Sequence, residues 1–135
     1  MSTMSPLIAT LNVAVGGAIG ASARYLLGRT LTAWFGPANM AAFPWATMIT
    51  NVIGCLFMGA LFGWMARDGN GSEQARLLIG VGLLGGFTTF SAFSLEMMVL
   101  IERGQAMTGL LYALVSVLAC IVSIYLGMII MRLAA

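Results

Sequence analysis

The chain has 135 residues, 61% of them hydrophobic and 7% charged, with a formal net charge of +2. Soluble domains average about 25% charged residues, so this composition, with a mean hydropathy of +1.02, describes one all-α membrane domain whose solvent is lipid. The small charge excludes a nucleic-acid partner; the absence of His and Lys excludes imidazole acid–base work, Schiff bases and most zinc sites, and no enzyme's usual nucleophile–base set is present.

A spanning helix needs about 20 mostly apolar residues. Four runs qualify, from about Leu7 to Ala33, Trp45 to Met65, Leu77 to Ile101 and Thr108 to Met131. Met1 to Pro6 has neither a basic region nor a small-residue cleavage site, so the first run reads as a retained helix. Gly36-Pro37-Ala38-Asn39 is a turn signal, and Pro44 suits the first turn of span 2. Arg67 to Ser72 is a polar turn in which Ser72 caps span 3, and Glu102-Arg103-Gly104 ends that span. Trp34, Trp45, Trp64, Tyr25, Tyr112 and Tyr125 fall near span ends, as an aromatic belt requires.

Four spans place both termini on one side of the membrane. Arg67, Arg76 and Arg132 lie on that side, and Arg24, Arg29 and Arg103 on the other. Three against three gives no preferred orientation. Either the insertion machinery settles a weak bias, or the chain inserts both ways and pairs antiparallel with itself about a two-fold axis in the membrane plane.

Span 1 carries Gly16 and Gly20, a small-xxx-small pair that admits a close neighbour. Arg24 follows well inside the run; it either snorkels to the interface or sits in a vestibule and concentrates anions. Span 2 carries Thr47, Thr50 and Asn51. The Asn51 amide is either a glue between helices or a pore donor able to give two hydrogen bonds to an anion. Cys55 and Cys120 lie in apolar runs and read as buried thiols rather than a disulfide.

In span 3, Gly80-Val81-Gly82-Leu83-Leu84-Gly85 matches a dinucleotide fingerprint, but that motif needs a preceding strand and has none here. The next stretch, Gly85 to Ser94, holds a glycine pair, four hydroxyls and three phenylalanines with no Leu, Ile or Val. Such a run weakens a helix and can break it, and in lipid a broken backbone must be buried in protein or line a cavity. Freed carbonyls there suit a hard cation. Phe90 and Phe93 share a helical face, and the electropositive edges of their rings suit an anion. In span 4, Ser116, Cys120 and Ser123 form a weakly polar stripe. It either back-bonds to its own helix or walls a polar pathway.

These residues carry a resemblance. Gly16 to Tyr25, Thr50 to Gly54 and above all Gly85 to Glu96 resemble the motifs of the Fluc (CrcB) fluoride channel family, over nearly the whole chain. The resemblance implies a passive fluoride channel of the bacterial inner membrane. It implies four helices, the third broken near its middle, in an antiparallel dual-topology homodimer with two pores. On the same basis Phe90, Phe93, Asn51, Ser116, Thr47 and Tyr112 line the fluoride path and Arg24 stands in the vestibule. The backbone carbonyls of Gly85 and Thr88 from both subunits hold a central Na+. Cys120 stands where some members have a second serine, Ala92 where Thr is commoner, and Leu95 where Ala is commoner. The competing reading is a proton-coupled small multidrug exporter, also four-span and antiparallel. It needs a carboxylate inside the membrane. Glu96 is the only candidate, near the end of span 3.

Overall fold

The computed structural model describes residues 4–68 and 72–134, and every regular element among them is helical. α1 (Pro6–Phe35) is capped by Ser5, whose side chain accepts from Ile8 N, and ends where Gly36 takes a positive φ of 82°. The predicted turn there is only Gly36: Pro37, preorganised for a first helical position, starts the short α2 (Pro37–Ala42). α3 (Trp45–Asp68) follows directly after Pro44. It includes Arg67 and Asp68, read above as turn residues, because nothing before Gly69 breaks the helix; Gly69, Asn70 and Gly71 lie outside the described residues.

Ser72 caps α4 (Glu73–Ala75), its side chain accepting from Ala75 N, as its sequence position predicts. The chain then winds as a π-helix, π1 (Arg76–Leu84), and returns to α-geometry in α5 (Gly85–Phe87). The apparent dinucleotide motif thus lies on helical turns. α6 (Phe90–Glu102) and α7 (Ala106–Leu133) complete the chain, joined through Gly104 at φ 76°. Four stretches are long and apolar enough to cross a membrane: Pro6–Phe35, Trp45–Arg67, Glu73–Glu102 and Ala106–Leu133.

Small residues set the packing. α1 lies along π1 and α5. A Cβ on Gly20 would stand 2.8 Å from Phe87 N, so only glycine permits this approach. α3 lies along α7. Gly59 faces Ile124 and Gly63 faces Met128, so the two helices run parallel with a constant offset of 65 residues. The third span divides its loyalties: π1 and α5 pack on α1, whereas α6 packs on α7. The change of partner falls at Thr88 and Thr89, which are both extended (ψ 161° and 125°).

The aromatic belt needs one correction. Trp34, Tyr25 and Tyr125 are exposed, as a belt requires, but Tyr112 is 0% exposed. It anchors a cluster with Phe93 and Leu100, against which Phe43, Met48 and Met97 pack. Its ring meets Phe43 edge-on at 5.4 Å and Phe93 at 5.1 Å. Arg103 closes this end by donating to Ala41 O at 3.2 Å, tying the α6–α7 turn to α2.

Candidate functional site

The extended pair Thr88–Thr89 would leave backbone groups unpaired at membrane depth, which lipid does not tolerate. The Asn51 side chain answers this from α3. Its Nδ2 donates to Thr89 O at 3.0 Å, and its Oδ1 accepts from Thr89 N at 2.8 Å. A primary amide offers one donor and one acceptor side by side, which matches a single extended residue. One N–H of Asn51 is left over. Thr89 also caps α6, its Oγ1 accepting from Ala92 N at 3.2 Å.

Two carbonyls lose their helical donors in consequence. The amide four residues after Gly85 is that of Thr89, held by Asn51, and the amide four after Thr88 is that of Ala92, held by Thr89 Oγ1. Arg24, half-buried, donates from Nε to Gly86 O at 3.4 Å, so its side chain turns to the protein at this level.

Two grooves flank the pair. The first, about 390 Å³, is lined by Asn51, Cys55, Thr88, Thr89, Phe90, Phe93, Ser116 and Cys120 among others. Phe90 is 77% exposed and Phe93 only 8%, with ring centroids 5.6 Å apart. Ser116 is 4% exposed, yet its Oγ has no hydrogen-bond partner. It therefore does not back-bond to its own helix. The second groove, about 670 Å³, is lined by Arg24, Arg29, Thr32, Thr47, Thr50 and Thr89 among others. Thr89 borders both, so the Asn51–Thr89 pairing forms the partition between them.

Thr47 and Tyr112, expected as path donors, converge on a carboxylate. Thr47 Oγ1 donates to Glu96 Oε1 at 2.7 Å, and Tyr112 O–H donates to Glu96 Oε2 at 2.9 Å. In the sequence Glu96 reads only as an exporter's carboxylate. Its spacing, three residues after Phe93, already put it on the aromatic face. Thr89 was also missed, although a threonine ahead of an apolar helical run is a capping signal. The structure brings together Phe90, Phe93, Asn51, Ser116 and Thr88 around the first groove, and Arg24 with Thr47 around the second; Tyr112 lines neither. Gly85 stands one short helix away from Thr88. Among the described residues no three His, Cys, Asp or Glu side chains gather as a metal cluster.

Comparison with known proteins follows the same lines. A family model described as "CrcB-like protein, Camphor Resistance (CrcB)" matches residues 11–128. A protein of Erythrobacter litoralis named fluoride-specific ion channel FluC is 53% identical over the whole of both chains. Its namesake in Novosphingobium aromaticivorans is 53% identical over 93% of this chain and 98% of its own. One from Rhizobium leguminosarum bv. trifolii is 45% identical over 96% of this chain and all of its own. The four apolar spans make this a multi-pass membrane protein, and the match across almost its entire length shows that the chain belongs to the Fluc (CrcB-like) family.

Proposed function

We propose that this chain is a passive, fluoride-selective channel of the bacterial inner membrane, releasing fluoride from the cytoplasm. Its relatives bear that name, and theirs is a family of ion channels rather than an enzyme class. The observation that carries the reading is Ser116: a buried hydroxyl without a partner, on the same wall as Phe90, Phe93 and the Asn51 amide. A small, strongly hydrated anion needs its water replaced. A free hydroxyl, a spare amide N–H and ring edges offer that without a full cation, so release stays easy. Arg24 and Arg29, in the second groove, raise the local anion concentration at its mouth. Chloride, being larger, needs a wider path.

The working unit is an antiparallel dual-topology homodimer with two pores, in which the third span is broken at Thr88–Thr89. Three features support it. The arginines divide evenly between the two sides. Phe90 stands 77% exposed beside the first groove in the single chain. The Thr88 carbonyl, left without its helical donor, needs cover that lipid does not supply. The carbonyls of Gly85 and Thr88, left without helical donors, fit a Na+ at the dimer axis. One chain offers two such oxygens and a two-fold copy doubles them, toward the all-oxygen shell a hard cation takes. Bound there, Na+ would supply fixed positive charge and link the two chains.

The exporter alternative is not favoured. Both oxygens of Glu96, its required carboxylate, already accept hydroxyl hydrogen bonds. Fluoride efflux from proteoliposomes, with chloride as control, tests the function. The wild-type chain should pass fluoride and not chloride, and Phe90→Ile should slow fluoride. A wild-type chain passing no fluoride would refute the function; undiminished efflux from Phe90→Ile would refute the phenylalanine role.

A further inference from the structure

Cys55 and Cys120 are the chain's two cysteines, and the channel reading leaves them unused. They stand on different helices, α3 and α7, separated by the same offset of 65 that sets Gly59 against Ile124 and Gly63 against Met128. Thr47 and Tyr112, joined through Glu96, obey that offset too. The cysteines therefore form the rung one helical turn before Gly59–Ile124, where the two helices are in backbone contact. Their thiols are neighbours and not joined in a disulfide. Both are half-buried and both line the first groove. The unpartnered Ser116 hydroxyl lies one turn from Cys120 on the same wall. No charged side chain lines this groove among the described residues.

We propose that Cys55 and Cys120 form a paired-thiol site for soft, thiol-bridging centres such as trivalent arsenicals, and that its occupancy plugs the groove. Soft sulfur ligands select soft centres over hard ones. An organoarsenic(III) oxide is neutral and reaches membrane depth. It condenses with both thiols: two As–S bonds form, the As–O double bond is replaced, and the oxygen leaves with both thiol protons as one water. Arsenic stays trivalent, so no oxidant is needed. Two neighbouring thiols on one groove make the second bond intramolecular. The added group would then stand between Phe90 and Ser116. Plugging, though not binding, rests on the channel reading above.

The test uses the purified full chain and phenylarsine oxide. After a monothiol wash, intact mass should show one arsenical retained per chain, removable by a dithiol. Retention should fall at least ~100-fold in Cys55→Ser and in Cys120→Ser, with Cys55→Ala and Cys120→Ala as second variants, because each loses the intramolecular bond. No retention by the wild type, full retention by either single-cysteine protein, or an arsenical bridging two chains would each overturn the site. In proteoliposomes the arsenical should slow fluoride efflux of the wild type relative to its untreated self, and not that of the variants relative to theirs. Retained arsenical with unchanged efflux would overturn the plugging. A wild-type chain that retains arsenical but passes no fluoride when untreated would overturn the channel reading and leave the site standing.

Discussion

Asn51→Ala tests the partition directly. The substitution removes both hydrogen bonds between the side chain and Thr89. Thr89 is the N-cap of α6, so its carbonyl also accepts the first bond of that helix and keeps a partner. Its N–H has no other acceptor in reach along the helix, because the ladder to Gly85 is already broken. An orphaned buried donor costs about 1–3 kcal/mol, and hydrogen bonds within membrane bundles average nearer 0.6. A net loss of about 2 kcal/mol is the working value, which is about thirtyfold in a local opening equilibrium. Hydrogen exchange of the Thr89 amide, in detergent or in nanodiscs, reads that opening. It should quicken by about thirtyfold while amides in the middle of α7 change little. Exchange at Thr89 within about threefold of wild type would put the loss below 1 kcal/mol and refute the claim that Asn51 holds the extended pair.

Other outcomes follow from the same geometry. Thr47→Val and Tyr112→Phe each remove one donor from Glu96; in a double-mutant cycle of thermal stability they should couple by about 0.5–3 kcal/mol, and simple additivity would refute a shared carboxylate. Gly20→Ala forces a Cβ against Leu83 and Phe87, whereas Gly28→Ala meets nothing within 4 Å. The first should cost about 1–3 kcal/mol and the second should be neutral or stabilise by up to about 1 kcal/mol, read as thermal midpoints in detergent. For the proposed dimer with Na+ at its axis, replacing Na+ with a bulky organic cation throughout purification should shift the protein toward monomer in size-exclusion chromatography, and an unchanged profile would argue against a cation at the axis.

Much of the membrane architecture was legible in the order of residues. Each of the four apolar runs exceeds the length lipid demands, and each falls in a helical stretch, the third interrupted at Thr88 and Thr89. The Gly85–Ser94 stretch marked itself by what it lacks, having no aliphatic branch over ten positions, and the two extended residues fall within it. Ser72 announced a cap and provides one. Local chemistry suffices for such features, because hydrophobic length and helix capping depend on near neighbours in the chain.

Tyr112 shows where that reasoning stopped. A tyrosine near a span end is equally suited to a lipid interface or to a core partner for its hydroxyl. Only the placement of Glu96, 16 residues earlier, decided for the core. Asn51 is similar: its amide read as glue or as a pore donor, and it took up the backbone of Thr89, 38 residues away. The sequence by itself determined that the chain has four stretches able to cross a membrane, and it singled out the ten residues within which Thr88 and Thr89 are extended. The tertiary structure alone decided which polar groups satisfy one another. The convergence of Thr47 and Tyr112 on Glu96 follows the offset of 65 residues at which glycines let α3 and α7 meet, and such an offset leaves no local trace in the order of amino acids.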